Sequence, residues 1–320
     1  MAGLAIVGCA VIWMLPGAEA PKPTERAEPK SAKPAAQPLE KVTLSAKLFR
    51  PAAPSLVAIG DLHGDLRAAR QALQLAKVID NADRWIGGTT VVVQTGDEID
   101  RGDDDKEVLE LVEKLKAEAK AAGGELIALN GNHELMNVAQ DFRYVSKHSF
   151  EEFADKDPGK AASEGPQSGR AQAFKPGGRY AGMLSERPVM MQVGDTVFVH
   201  GGILPKHVRY GLDKINDEVD AWILARLPSP PAAAMGEDGL LWTRLYSDKT
   251  DASACAALHE TLQAFGAKRM VVGHTVQQAG INAACDDKVW RIDTGMSRAY
   301  GGNIEVLLIN GDKVSRLVRP

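Results

Sequence analysis

The strongest constraint on the fold of this chain is a pattern that occurs five times, in which an apolar run precedes a short polar segment rich in Gly, Asp and His. These polar segments are residues 60–65, 96–102, 131–134, 200–202 and 273–275. Open α/β sheets place their chemistry at the carboxyl ends of buried strands. We therefore expect five strand ends to meet at one site, with Gly131-Asn132-His133-Glu134 near its centre.

The first half of the chain alternates between strand and helix patterns. Residues 55–59, 89–93 and 126–129 are short, β-branched or apolar runs, whereas residues 66–76 and 108–115 carry apolar side chains at helical spacing. A strand, helix, strand, helix, strand order predicts parallel pairing through right-handed crossovers.

The second half predicts a second group of strands. Its predicted elements are a hairpin at 189–192 and 196–199, helices at 212–227 and 252–265, a strand at 270–272, and closing antiparallel strands at 289–292, 304–309 and 314–318. Two strand-rich halves around one site predict an α/β fold, a two-sheet β sandwich flanked by helices (α/β/β/α). Residues 46–320 would form this single domain, with an excursion at about 140–185.

Composition limits the possible partners. The 320 residues are 44% hydrophobic and 25% charged, which is typical of a soluble enzyme with one large core. A net charge of -4 and a pI near 6.0 give no basic surface of the kind that nucleic-acid-binding proteins show. We expect no nucleic-acid partner.

The amino terminus has the pattern of a targeting segment. Residues 2–15 are apolar but too few to span a bilayer, and a Pro-Gly breaker and the small-x-small sequence Ala18-Glu19-Ala20 follow. We expect a signal peptide of residues 1–20, export to the periplasm, and a mature form without membrane attachment. An uncleaved amino-terminal anchor is the alternative, and a lipoprotein at Cys9 fits less well because the apolar run continues past it. Residues 21–45 predict a disordered linker.

Cys255 and Cys285 are the cysteines that remain after such a cleavage. In an exported protein they can pair and close a loop of about thirty residues. They can equally be two unpaired core thiols, and the sequence leaves both open.

The polar segments supply donors for metal ions. Asp61 and His63 are one residue apart, so both side chains can face the same side, and Asp97 can bridge two cations through its two oxygens. The full set of candidate ligands is Asp61, His63, Asp97, Asn132, His200 and His274. Carboxylate, amide and imidazole donors without a thiolate suit Mn²⁺, Fe or Zn²⁺. Two such ions about 3.5 to 4 Å apart can activate a bridging hydroxide and hold phosphate oxygens for in-line attack.

These motifs carry a family resemblance. The five segments resemble the calcineurin-like metallophosphoesterases, and Asp100-Arg101-Gly102 points to their phosphoprotein phosphatase branch. Residues 130–137, 141–144 and 241–244 are similar to bacterial Shewanella-like protein phosphatases. The resemblance covers about residues 55–310.

The resemblance implies a role for each matching residue. Asp61, His63 and Asp97 would bind one metal ion, and the other would be held by Asp97, Asn132, His200 and His274. His133 would be the general acid, oriented by Asp100, while Arg101 and Arg244 would bind phosphate oxygens. The implied activity is hydrolysis of phosphomonoesters, with a phosphorylated protein (Ser/Thr or Tyr) or a small phosphoester as substrate. A dinucleoside polyphosphate or phosphodiester hydrolase is the alternative, and a catalytically silent binding protein is disfavoured by the retention of every ligand.

Several neighbouring residues are expected to have structural roles. Gly131 should let the backbone turn, Glu134 should accept hydrogen bonds that fix the loop, and Trp242 should lie in the core. The aspartates at 103–105 predict a solvated helix start, with the alternative that one of them tunes the metal pocket. Residues 142–144 can either line the mouth of the site or pack the excursion, and the three remaining histidines, His148, His207 and His259, should lie outside the site.

Overall fold

Two β-sheets form the centre of the fold in the computed structural model, which describes residues 38–154 and 166–319. The strands are β1 (Phe49–Arg50), β2 (Leu56–Ile59), β3 (Val91–Gln94), β4 (Glu125–Ala128), β5 (Met190–Val193), β6 (Thr196–Val199), β7 (Arg269–Val272), β8 (Asn282–Ala284), β9 (Val289–Arg291), β10 (Glu305–Asn310) and β11 (Lys313–Val318). One sheet has the order β11-β10-β2-β3-β4 and the other the order β1-β5-β6-β7-β9-β8.

Helices cover the outer faces of both sheets. They are α1 (Leu66–Leu75), α2 (Asp105–Ala121), α3 (Asn132–Val138), α4 (Lys147–Glu151), α5 (Pro166–Phe174), α6 (Arg179–Leu184), α7 (Pro205–Tyr210), α8 (Leu212–Ile223), α9 (Ala232–Met235) and α10 (Ala252–Phe265), with a 3₁₀ turn at Arg298–Tyr300. Asp65 starts α1 by accepting from Ala68 N at 2.9 Å, and Asp251 starts α10 in the same way. The helix predicted at 212–227 ends earlier, at Ile223, because Ala225 adopts a left-handed conformation with φ 60°.

The core confirms the predicted α/β/β/α sandwich. Ala58, Val93 and Ile127 of the first sheet pack in one buried cluster with Phe198 and Val271 of the second. The opposite faces pack against α1 and α2 on one side and against α8 and α10 on the other. Apolar residues therefore occupy both faces of the central strands, which explains their continuous apolar runs.

Strand pairing agrees with the prediction in the first half and differs at one strand in the second. The strands β2, β3 and β4 are parallel, as expected from their crossover helices. The sequence predicted that residues 289–292 form a closing antiparallel strand together with β10 and β11, and this prediction was wrong. These residues form β9, which lies in the other sheet parallel to β7, with Trp290 opposite Val271. An apolar run predicts a strand but does not specify its partner, and the intervening β8 hairpin keeps β9 on the second sheet.

The excursion and the ends of the domain contact the core closely. Phe174 at the end of α5 stacks on Tyr180 and packs edge-on against Phe153, and all three rings belong to the main core cluster. The described end of the predicted linker also lies on the domain, since Val42 N donates to Ala264 O at 2.8 Å. The predicted signal peptide, the remainder of the linker and residues 155–165 of the excursion lie outside the described residues.

A disulfide joins Cys255 of α10 to Cys285, which follows β8, with a Cα–Cα distance of 5.3 Å. The sequence allowed either a disulfide or two unpaired core thiols, and the structure contains the disulfide. The bond fastens the edge hairpin of the second sheet to the helix that covers it. Within the described ranges, no helix has both the length and the apolar character that crossing a bilayer requires.

Candidate metal centre

The loops that follow the strands bring the predicted ligands together. They are placed after β2 (Asp61, His63), β3 (Asp97), β4 (Asn132), β6 (His200) and β7 (His274). All six side chains are buried. The two sheets therefore contribute to a single cluster at the carboxyl ends of their strands.

Four acceptor atoms converge on one point of this cluster. His200 Nε2 lies 2.9 Å from Asn132 Oδ1, 3.1 Å from His274 Nδ1 and 3.2 Å from Asp97 Oδ2. Asp97, His200 and His274 satisfy the spacing of a metal-binding group.

Backbone carbonyls set the orientation of the three imidazoles that are candidate metal ligands. One ring nitrogen of each lies 2.9 to 3.2 Å from a carbonyl oxygen, to which it donates, so the other nitrogen presents its lone pair to the site. The pairs are His63 with Ile99, His200 with Thr95 and His274 with Trp242. Burial, together with His133, lowers the pKa of His63 to about 4, and burial with His200 lowers that of His274 to about 2. His63 and His274 are thereby kept neutral and face carboxylate and amide oxygens, so the cluster presents acceptor atoms to which a divalent cation could bind.

A second group of donors lies beside the first and shares Asp97. His63 Nε2 is 3.8 Å from Asp97 Oδ2 and 4.0 Å from Asp61 Oδ2. Burial and the neighbouring Asp293 raise the pKa of Asp61 well above its ordinary value. This part of the site carries an excess of negative charge that a further cation would neutralise.

Asp293 is a site residue that the sequence analysis missed. It is buried, it lines the same cavity as Asp97 and His274, and burial raises its pKa to about 6. It directly follows an apolar residue after β9 and precedes Thr294-Gly295, which is the local pattern used to identify the other candidates.

His133 is held beside the donor cluster by Asp100. Its Nδ1 lies 2.7 Å from Asp100 Oδ2, and its Nε2 lies 3.8 Å from Asp97 Oδ2. Burial alone would lower the pKa of His133, but Asp97 and Asp100 outweigh burial and raise it to about 9. A cation on Asp97 would offset part of this rise and bring the pKa towards the neutral range in which general acids work best.

Glu134 and Gly131 fix the loop that carries Asn132 and His133. Glu134 accepts from the backbone N–H groups of Asp97, Glu98 and Gly131 at 2.7 to 2.8 Å, which confirms its predicted structural role. The explanation predicted for Gly131 was wrong, because its φ of -96° is open to any residue. A side chain is excluded there because a Cβ would lie 2.2 Å from Asp97 Oδ1.

Aromatic and basic side chains form the walls of the cavity, whose volume is about 240 Å³. The Arg101 guanidinium lies 3.8 Å from the centre of the Tyr144 ring and 5.7 Å from that of Tyr300. Arg244 is anchored by its Nη1, which donates to His274 O and Thr275 Oγ1, each at 2.7 Å.

The positions of the neighbouring aromatic residues relative to this cavity test two predictions. Trp242, which was predicted to lie in the core, packs against the main core cluster but is partly exposed and also lines the cavity. Of the aromatic pair at 142–144, Tyr144 faces the cavity whereas Phe142 packs edge-on against Phe150 in the excursion.

The aspartate run at 103–105 contains another correction. Asp105, predicted to be solvated, is fully buried. Its Oδ1 accepts from Asp100 N at 2.9 Å and its Oδ2 lies 2.7 Å from Arg170 Nη2. The run does start α2, but its last member belongs to a buried ion-pair network behind His133.

The remaining histidines lie outside the site, as predicted. His148 and His259 are exposed. His207 is buried in α7, where its Nδ1 accepts from Leu204 N at 3.1 Å and its Nε2 donates to Asp238 O at 3.0 Å. Burial lowers its pKa to about 4, which keeps the ring neutral.

Comparison with known proteins agrees with this geometry. Residues 54–278 match the calcineurin-like phosphoesterase family. The chain is 42% identical to Shewanella-like protein phosphatase 2 of Arabidopsis thaliana, over 82% of this chain and 77% of that protein. It is 31% identical to Shewanella-like protein phosphatase 1 of Plasmodium berghei, over 76% and 67% of the two chains. Among solved structures, it is similar to a cold-active protein tyrosine phosphatase, with a TM-score of 0.71 and 26% identity over 87% of this chain and 79% of the other.

Proposed function

Because this chain belongs to the calcineurin-like phosphoesterase family and is similar to Shewanella-like protein phosphatases, we propose that it is a phosphoprotein phosphatase that prefers phosphotyrosine. Family membership makes it a metal-dependent phosphoric ester hydrolase. The preference for an aryl phosphate is supported chiefly by the cavity walls, because Tyr144, Trp242 and Tyr300 line the cavity together with the donor cluster.

The cavity suits a single phosphorylated side chain. Its volume of about 240 Å³ is below the roughly 300 Å³ at which pockets begin to enclose drug-sized ligands. Aromatic walls favour an aryl group through edge-on and offset contacts. The similarity to a cold-active protein tyrosine phosphatase supports the same preference.

Two groups of donors that share Asp97, one with His63 and one with His200 and His274, support a site for two cations, for which we keep the division of ligands expected from the sequence. One would be held by Asp61, His63 and Asp97, and the other by Asp97, Asn132, His200 and His274. Their mixed oxygen and nitrogen donors suit Mn²⁺, Fe or Zn²⁺. When bound, two such ions activate water and neutralise phosphate charge.

The protein's own groups position the phosphate and supply a proton. Because His133 Nδ1 is bonded to Asp100, the proton on Nε2 is the one available to the leaving oxygen. Arg101, whose guanidinium lies over the Tyr144 ring, would bind phosphate oxygens with its fork of N–H groups, and Arg244, which lines the same cavity, would do the same.

We also propose that the protein is exported. The disulfide between Cys255 and Cys285 supports an oxidising compartment, in which such bonds form and persist.

The substrate proposal is tested with two peptides of identical sequence that carry phosphotyrosine or phosphoserine, assayed with added Mn²⁺ beside a dinucleoside tetraphosphate. We expect a higher kcat/KM for the phosphotyrosine peptide. Equal rates on both peptides would remove the aryl preference, and hydrolysis of the dinucleoside tetraphosphate alone would overturn the phosphatase proposal.

The division of roles is tested with two variants. Asp97→Asn should abolish turnover and lower the bound metal, because the shared ligand is weakened. His133→Asn should reduce kcat by about 10²-fold or more while the metal content stays near normal. Equal loss of metal in both variants would show that His133 is not a separate proton donor.

A further inference from the structure

Arg170 of α5 lies fully buried behind the His133–Asp100 pair. Its Nη2 donates to Asp100 Oδ1 at 3.1 Å and to Asp105 Oδ2 at 2.7 Å. Its Nε donates to Asn137 Oδ1 at 2.8 Å, and Asn137 Nδ2 donates in turn to Asp100 Oδ1 at 2.9 Å. One oxygen of Asp100 therefore faces His133, while the other is held by Arg170 and Asn137.

This arrangement fixes the rotation of the Asp100 carboxylate. A carboxylate bonded to a single imidazole can turn about its Cβ–Cγ bond and carry the ring with it. Donors on Oδ1 restrict that rotation, so Oδ2 stays aligned with His133 Nδ1. Asn137 Nδ2 also donates to His133 O at 3.0 Å, which ties the backbone of the histidine to the same network.

The guanidinium is itself held from several directions. The rings of Phe153 and Phe174 each lie with their centres 5.0 Å from its Cζ, and its Nη1 donates to Ser149 Oγ at 2.9 Å. A planar group fixed by stacking and by a fork of donors is a rigid support, which a lysine ammonium would not reproduce.

Arg170 also balances the charge of the buried carboxylates around it. Asp100 and Asp105 are two buried carboxylates, opposed by Arg170 and by His133 when it carries its proton. Without the guanidinium, both carboxylates would be buried without their shared cation, an arrangement that proteins tolerate poorly.

We infer that Arg170 is a positioning residue for the proton donor, which holds Asp100, and through it His133, in the orientation that delivers a proton to the leaving oxygen. This inference rests on the proposed role of His133 as the general acid. It assigns to the excursion a part in catalysis although the excursion contributes none of the candidate metal ligands.

The test compares two substrates that differ in their need for a proton. Phenyl phosphate has a strongly basic leaving oxygen and depends on a general acid, whereas p-nitrophenyl phosphate has a weakly basic one and depends on it much less. Arg170→Lys keeps the charge and loses the fork. We expect kcat on phenyl phosphate to fall about 10-fold or more, with a much smaller fall on p-nitrophenyl phosphate and little change in either KM.

A second variant and a matched control separate positioning from folding. Asp105→Asn removes the carboxylate that binds Arg170 Nη2, while the amide oxygen of the new side chain can still accept from Asp100 N as Asp105 Oδ1 does. It should reduce activity on phenyl phosphate selectively even if Arg170→Lys folds poorly. Arg187 is the control, because it is equally buried and bridges Glu98 and Glu113 at 2.8 Å each without contacting the His133–Asp100 pair. Arg187→Lys should lower thermal stability and leave the ratio of the two rates unchanged.

The outcomes distinguish this inference from its premise. If His133→Asn shows no selectivity between the two substrates, the general-acid role is wrong and the inference falls with it. If His133→Asn is selective but Arg170→Lys and Asp105→Asn slow both substrates equally, Arg170 serves the fold alone and the positioning role is refuted.

Discussion

Asp293→Asn is expected to stabilise the metal-free protein and to lose that effect when metal is bound. Burial raises the pKa of Asp293 from 3.8 to about 6. A carboxyl group whose pKa is higher in the folded state than in the unfolded state lowers stability progressively as the pH rises from about 3.8 to about 6. In this window the unfolded chain has already released the proton that the folded protein still holds. At neutral pH a difference of about 2 pKa units corresponds to about 3 kcal/mol.

The substitution removes the charge and keeps the local hydrogen bond. Asp293 Oδ1 accepts from Gly295 N at 2.9 Å, and an asparagine carbonyl can accept the same bond. With chelator at pH 7, Tm should rise by roughly 6 °C, since about 3 kcal/mol acts on a domain of this size. With Mn²⁺ in excess, cations at Asp61 and Asp97 would already offset the charge of Asp293, so the gain should disappear or reverse.

Scanning calorimetry with chelator and with Mn²⁺ measures both shifts. Asp217→Asn is the control, since it removes the same charge from an exposed position on α8. A Tm increase of equal size in both conditions, or none with chelator, would refute the argument that these carboxylates carry an excess charge balanced by metal.

The remaining predictions concern phosphate binding, acid stability and processing. Arg101→Ala should raise KM for p-nitrophenyl phosphate and weaken inhibition by inorganic phosphate by about 10-fold, because a charge-assisted hydrogen bond is lost; unchanged phosphate inhibition would count against this contact. His207 has a folded pKa of about 4 against an ordinary 6.5, so the free energy of unfolding should fall by at most about 3 kcal/mol as the pH drops through this window. Urea unfolding at several pH values should show a weaker acid dependence for His207→Gln, and identical dependence would contradict the assignment. Amino-terminal sequencing of exported material should begin at Pro21, and a sequence beginning at Met1 would exclude cleavage.

The sequence reveals much of the candidate site because most of its residues follow directly after strands. Asp61, Asp97 and His274 each stand at the end of an apolar run, so their relation to the sheet is local information. Asp293 has the same local signal and could have been found. The pairing of β9 could not, because an apolar run is compatible with either sheet and the choice depends on how the chain crosses over.

Arg170 and Asp105 show where local patterns stop being informative. Arg170 lies 70 residues from Asp100 in the chain, in a segment without apolar periodicity that predicts only an excursion. Asp105 ends a run of three aspartates, which ordinarily indicates a solvated helix start. Asp105 can be buried because Arg170 packs against it. This contact arises from tertiary packing, which neither segment encodes by itself.

The backbone of the site explains why metal binding and stability should be linked. The residues His63, Asp97, Asp100, Arg101 and His274 have φ between 45° and 71°, in the left-handed region. Side chains disfavour this region by on the order of 1 kcal/mol each, so five such residues together approach the net stability of a typical domain. Glycine would relieve the strain but would supply neither ligand nor proton. The loops keep this conformation through backbone bonds such as His63 N to Asp97 O at 3.0 Å. Strain and excess negative charge thus fall on the same loops. Cations held by these residues would stabilise only their folded arrangement, so metal binding would offset both.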